Sequence, residues 1–276
     1  MTEETPTAGP ASDTGRHTPR FLGNIVAITG VNDAGIGAAI AYRFALEGAK
    51  LAFWGLEEPA RLLKKLGRRK VEVESARCDV TNSEEVQQAV AGTLDRFGRI
   101  DVLVNNAGVE VAVPYENMTD ETWNRVLEVN LTGAMRASRA VLRGMPGPGA
   151  VVNISSALGL GGCAGFTAYS ASKAGLNGLT QSLAWELAPR GIRVVGVAPG
   201  MVHTPMIHRH AGRLTPEVWA QIQACHPLGM GSPHDVANAV AFLASPEAAW
   251  ITGVTLPLGW APGYPLPTKH LMGDVE

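Results

Sequence analysis

The chain has 276 residues, of which 46% are hydrophobic and 17% charged, a balance that excludes a disordered protein and supplies the core of one α/β domain. A net charge of −2 and a pI near 6.4 leave no basic footprint, so neither nucleic acid nor an anionic membrane is expected as a partner. The three cysteines, Cys78, Cys163 and Cys225, have no metal-type spacing and read as reduced thiols of a cytoplasmic protein. The N-terminus lacks a basic segment followed by an apolar one, and no apolar run reaches about 18 residues, so neither secretion nor a membrane span is expected.

Residues 1–20, rich in Thr, Pro, Gly and charge, read as a mobile tail ahead of one domain over 21–276. Asn24–Ile28 is a predicted strand, followed by a turn bearing Gly30, Gly35 and Gly37 and a helical run to Gly48. Strand, glycine turn and helix together suit a dinucleotide, because glycines admit a pyrophosphate to the backbone and the helix N-terminus supplies amide donors. A second strand, Lys50–Trp54, runs into Gly55, Leu56 and Glu57. An acidic residue at that strand end would bind both ribose hydroxyls of NAD, and an Arg just after it the 2′-phosphate of NADP. Gly55 and Leu56 offer neither, Glu57 would have to reach round to a ribose and Arg61 to a phosphate, and the reading favours NAD narrowly over NADP. Val71–Ala76 is a third strand, followed by Asp79 and Val80, and Ser83–Phe97 is an amphipathic helix with Ser83 as its expected cap.

Ile100–Val104 is the fourth strand, ended by Asn105, Asn106, Ala107 and Gly108, whose small residues suit a close ligand. Thr119–Arg143 reads as helical, yet Asn130 inside it is a poor mid-helix residue because its amide competes for backbone bonds. Ala150–Ile154 is a buried strand with Ser156 just past its end, where open α/β sheets place their ligands. A Gly-rich loop leads to Tyr169 and Lys173, which share a helix face, and the ammonium is expected to lower the tyrosine pKa from about 10. After a sixth strand, Ile192–Val197, comes a turn through Pro199 and Gly200 to Val202 and Thr204. A segment of about 203–230 then holds Met206, Trp219, Met230 and four histidines: His203, His208, His210 and His226. His208 and His210 would diverge on a helix and no Cys or Glu joins them at ligand spacing, so no metal is expected. Ser232 caps a helix to Ser245, and a last strand starts at Ile251.

Ser156, Tyr169 and Lys173, the first two thirteen residues apart, resemble the active site of the short-chain dehydrogenase/reductase family, including its 3-oxoacyl-[acyl-carrier-protein] reductase-like members. The Asn-Asn-Ala-Gly run at 105–108 and the glycine turn extend the resemblance over about residues 22–260. It implies a Rossmann-type, doubly wound α/β domain with a parallel sheet of about seven strands. It also implies reversible exchange between a secondary alcohol and a ketone. Ser156 would hold the carbonyl oxygen, Tyr169 would move its proton, Lys173 would tune Tyr169 and hold the nicotinamide ribose, and Asn130 would hold a water linking the lysine to solvent. Cofactor contacts are expected from Gly30, Gly35, Ile36, Gly37 and Glu57, then from Asp79, Val80, Asn106, Ala107 and Gly108. Tyr169, Lys173, Pro199, Gly200, Val202 and Thr204 complete that set, and residues 203–230 would form a lid over a small carbonyl or alcohol substrate.

Three departures qualify the resemblance. The glycine turn carries one extra residue, the terminal strand lacks the family's Asp and one of its glycines, and the Met145–Gly149 connection lacks the basic character expected for an acidic carrier protein. Arg139, Arg143 and Arg190 remain as carrier contacts. A non-catalytic dinucleotide sensor or scaffold is the alternative of another class, and the retention of all four catalytic residue types argues against it. The family's habit of pairing through helices, here about 119–143 and 169–188, together with Trp185 lying off the Leu176, Leu179, Leu183 and Leu187 face, predicts a homodimer or homotetramer. The segment Tyr264–Pro267 would add a second contact.

Overall fold

A computed structural model describes residues 19–207 and 215–259. The expected tail up to residue 18, His208, His210 and the 264–267 segment lie outside the described residues. Seven strands form one parallel sheet: β1 (Ile25–Thr29), β2 (Lys50–Gly55), β3 (Val73–Arg77), β4 (Val102–Asn105), β5 (Gly149–Ile154), β6 (Ile192–Pro199) and β7 (Thr255–Leu258). Their order is β3-β2-β1-β4-β5-β6-β7. Each central strand is a continuous apolar run because both faces are covered; every residue of β1 and β4 is buried.

On one face lie α1 (Ile36–Leu46), α2 (Ala60–Gly67) and α8 (Pro233–Ala244), whose Ile40, Phe44, Leu66 and Val240 bury against Val26, Ile28 and Val152. On the other lie α3 (Ser83–Phe97), α5 (Gly133–Val141) and α6 (Thr167–Leu187), packing Val90, Val141 and Leu187 against Trp54, Leu103 and Val151. The chain winds outward from β1 to β3, then returns to β4 on the opposite side of β1. At that reversal the loops after β1 and β4 part, which opens a crevice at the carboxyl ends of the strands.

Several boundaries differ from the predicted ones. Asn82, not Ser83, caps α3: its Oδ1 accepts from the Glu84 and Glu85 amides at 2.9 and 3.3 Å, and Ser83 is already helical. The 119–143 helix is three pieces, α4 (Asp120–Leu127), a wide π turn (Glu128–Thr132) and α5, with the break at Asn130 as its residue type implied. β7 begins at Thr255, later than the Ile251 expected, while Ser232 and Asp235 form a reciprocal capping box on α8. In the 203–230 segment, α7 (Pro216–Ala224) is the described helix.

A buried polar chain fixes the sheet to its helices. Asn105 Nδ2 donates to Ser138 Oγ at 3.0 Å and Asn153 Oδ1 at 2.8 Å, and Asn153 Nδ2 donates to Thr180 Oγ1 at 2.8 Å. Asn153→Ala removes an acceptor and a donor from fully enclosed partners, and the predicted cost is about 2–4 kcal/mol, read from denaturant unfolding. A loss below about 1 kcal/mol would show the chain to be dispensable.

Candidate active site

The crevice is a cleft of ≈ 680 Å³ between the ends of β1, β4, β5 and β6. Its floor is built by close approach of backbone. Gly30 has φ 68°, and a Cβ there would sit 2.6 Å from Ala107 Cα, so only glycine lets the two loops nest. Asn106 locks them together: its Nδ2 donates to the Thr29 and Gly30 carbonyls at 2.9 and 3.0 Å. Thr29 Oγ1 accepts from the Asn106 and Ala107 amides, each at 3.0 Å. A Cβ on Gly37 would meet Asn106 Nδ2 at 2.7 Å.

The extra residue of the glycine turn is absorbed by burying Val31 completely and turning Asp33 away, whose Oδ1 accepts from the Leu62 amide at 3.0 Å in the first turn of α2. Gly35 (φ 90°) caps α1 with no side-chain bond, and Gly35, Ile36 and Gly37 line the cleft. A helix N-terminus without a side-chain cap, bordered by glycines, fits a pyrophosphate. At the same end Asp79 Oδ1 accepts from Thr81 N at 2.9 Å and Thr81 Oγ1 at 2.8 Å, so this carboxylate shapes a turn while Asp79 and Val80 line the cleft. Ala107, Gly108, Pro199, Gly200, Val202 and Thr204 line it too, whereas Glu57 does not and stands exposed beyond β2.

Ser156 follows β5, with its Oγ accepting from Leu158 N at 3.2 Å, and it lines the cleft together with Tyr169 of α6, whose phenolate its hydroxyl favours. Lys173, one turn along α6, is 4% exposed and donates from Nζ to the Ile154 carbonyl at 2.8 Å. Its Nζ is 5.6 Å from the Tyr169 ring centroid. The expected lowering of the tyrosine pKa is overturned: burial and the Glu110 carboxylate push the phenol above its ordinary range, against the Ser156 hydroxyl. Burial also pushes Lys173 down to about 8, so the nearby cation is weakened by the enclosure that raises the phenol. Asn130 is 1% exposed and lies behind the cleft wall rather than in it. Its Oδ1 accepts from Val109 N at 2.8 Å, and its Nδ2 donates to Val109 O at 2.9 Å and Ser172 Oγ at 3.0 Å. The side chain therefore clamps the loop after β4.

Sequence reasoning did not single out Glu110, Arg125, Cys163 or Phe166, all of which line the cleft. Glu110 had one available signal, a charge two residues past Gly108. The Cys163 thiol is pushed up to about 11 by burial, which leaves it protonated and inert. Among the described residues no three His, Cys, Asp or Glu side chains gather as metal ligands, and no helix is long and apolar enough to cross a membrane.

Residues 30–258 match a family model described as Enoyl-(Acyl carrier protein) reductase. The 3-oxoacyl-[acyl-carrier-protein] reductase FabG of Vibrio cholerae is 40% identical over 241 residues, covering 85% of this chain and 95% of that one. The 3beta-hydroxysteroid dehydrogenase 1 of Eggerthella lenta is 38% identical over 247 residues, with coverage of 85% and 91%. The solved structure of a short-chain dehydrogenase/reductase variant from Serratia marcescens superposes with a TM-score of 0.80 at 32% identity, covering 87% of this chain and 97% of that one.

Proposed function

The chain belongs to the short-chain dehydrogenase/reductase family, whose members are NAD(P)-dependent oxidoreductases acting on CH–OH groups, and on that premise we propose that it interconverts a secondary alcohol and a ketone through Ser156, Tyr169, Lys173 and Asn130. The observation that carries this reading is Tyr169, facing Ser156 and one helical turn from buried Lys173, whose Nζ lies 5.6 Å from its ring centroid, in the crevice where the strand order reverses. Bound along the glycine turn, the nicotinamide coenzyme supplies or accepts the hydride. The chain's residues do the remainder. Ser156 donates a hydrogen bond to the ketone oxygen. Tyr169, kept protonated by its raised pKa, gives its proton to the developing alkoxide and in the reverse direction takes it back. Lys173 holds the ribose hydroxyls and supports the phenolate when it forms. Asn130 fixes Val109, and so the loop on which the substrate rests.

NAD is the proposed coenzyme. Gly55 and Leu56 bring no cation to the adenosine end of the cleft, so nothing lining it there would hold a 2′-phosphate. The prediction is a kcat/KM at least about tenfold higher with NADH than with NADPH, a difference of about 1.4 kcal/mol. Equal efficiency would reverse the assignment.

The cleft's walls include the apolar Val109, Leu158, Phe166, Met201, Met206 and Ile207 beside the charged Glu110 and Arg125, so the substrate is a largely apolar ketone or alcohol, in keeping with the steroid alcohol in the name of the Eggerthella relative. Turnover of alicyclic and steroid ketones with NADH and NADPH tests this; no turnover of any carbonyl with either coenzyme would overturn it and favour a sensor or scaffold. The similarity to FabG favours a second reading, a carrier-bound 3-oxoacyl thioester. Arg139 and Arg143 are exposed for such a carrier, but Arg190 is spent on the Leu142 and Met145 carbonyls at 2.8 and 2.7 Å. A purified acyl-carrier-protein assay separates the two.

Assembly as a homodimer or homotetramer is part of the proposal, as is residence in the cytoplasm. Trp185 on α6 is 85% exposed and Trp250 before β7 is 99% exposed, areas that a second copy would cover. Light scattering should return at least twice the 29.0 kDa chain mass. A monomer at micromolar concentration would refute it.

A further inference from the structure

The 203–230 segment leaves and re-enters the domain at one neck. Val202 pairs with Gly231 in a parallel bridge, the Gly231 amide donates to Met201 O at 3.0 Å, and the His203 amide donates to Gly231 O at 2.9 Å. On the strap from Pro199 to Thr204, the Gly200 amide donates to Leu258 O at 2.8 Å. These ties are all backbone to backbone. A side chain adds a further one: His226 Nε2 accepts from the Met201 amide at 2.8 Å.

His226 is 4% exposed, follows α7, and lines the cleft beside Met201. Its own backbone is fixed, its amide donating to Gln223 O at 3.0 Å and its carbonyl accepting from Gly229 N at 2.8 Å. An imidazole nitrogen accepts only through a free lone pair, so the ring is held as the tautomer with its proton on Nδ1. The far end of the lid thus reaches across its neck and grips the middle of the strap.

We propose that His226 is a positioning residue for the nicotinamide ring, setting the height of the 199–204 strap through the Met201 amide and thereby coupling the lid to the reacting end of the coenzyme. This rests on the proposed function, in which Pro199, Gly200, Val202 and Thr204 contact the coenzyme at the Tyr169 end of the cleft. Without the acceptor, the Met201 amide must find another partner and the strap shifts, while the glycine turn and the adenosine end of the cleft, on the other side of the switch point, keep their shape. The effect belongs to the nicotinamide half of the coenzyme alone.

The test compares NADH with ADP-ribose, which lacks the nicotinamide, in titrations of wild type and three variants. His226→Leu removes the acceptor. His226→Gln restores one near the Nε2 position, and His226→Asn, a polar residue of shorter reach, supplies the comparison with Gln if the Leu variant fails to fold. The expected result is NADH binding about tenfold weaker in His226→Leu and His226→Asn, the scale of a lost buried hydrogen bond, with recovery to within about threefold in His226→Gln. ADP-ribose affinity should stay within about twofold throughout. Equal weakening of both ligands would show a merely structural role and overturn the proposal, as would unchanged NADH binding in His226→Leu. A wild-type protein binding neither ligand would overturn the dinucleotide reading itself, an outcome distinct from both.

Discussion

Tyr169→Phe should lower kcat for ketone reduction by about a hundredfold or more while leaving the dissociation constant of NADH within about twofold. The substitution removes one oxygen and keeps the ring, so packing on α6 survives and the folded state is barely perturbed. What disappears is the proton donor beside Ser156, and general acid catalysis of this kind contributes roughly 10²–10⁴ in rate. The raised pKa of Tyr169 makes the direction dependence testable. A phenol held protonated well past neutral pH is a ready acid and a reluctant base, so ketone reduction should stay flat up to about pH 8 and fall above it as Lys173 loses its charge. Alcohol oxidation should rise through the same range, as hydroxide helps carry the proton away. Stopped-flow single turnovers with wild type and Tyr169→Phe separate chemistry from coenzyme release. An undiminished rate in Tyr169→Phe would discard the mechanism.

The fold was legible because the sheet is buried on both faces: β1, β4, β5 and β6 are apolar runs that few other structures accommodate, and glycine or small polar turns end them where the cleft lies. Asn130 was legible for a related reason, since a residue that fights the helix in mid-helix marks a break. Cap identity was harder, because Asn82 and Ser83 are both good caps and only backbone geometry chooses between them. The sign of the Tyr169 shift was not legible at all. Helix spacing brings a cation near, but the opposing effect is burial by segments distant in sequence, together with Glu110 from the loop after β4. His226 was noted as one of a group of histidines, yet its hydrogen bond to Met201 crosses the neck of the lid, a contact no local pattern encodes.

Lys173→Met is expected to cost at least about a hundredfold in turnover and at the same time to stabilise the free protein. The ammonium is 4% exposed and burial pushes its pKa from the ordinary 10.5 down to about 8. Below about pH 8 the folded state therefore holds a charge that the unfolded chain would carry at far lower cost, and the penalty is fully present there. Between about 8 and 10.5 the unfolded chain binds more protons than the folded one, so this contribution to stability rises with pH, and above that range the penalty is gone. A difference of that size corresponds to roughly 3 kcal/mol at full effect. Methionine fills a similar volume without the charge, but it leaves the Ile154 carbonyl without the 2.8 Å bond from Nζ, which takes back about 1 kcal/mol. The net expectation at pH 7 is a gain of about 1–2 kcal/mol for Lys173→Met, narrowing to nothing or reversing by about pH 10. Chemical denaturation of both proteins at the two pH values measures it directly. On the proposed mechanism the charge is kept at its own cost because it supports the phenolate, a trade of stability for activity. Loss of stability at pH 7 in Lys173→Met would instead make the lysine a structural donor to β5, with its place beside Tyr169 incidental.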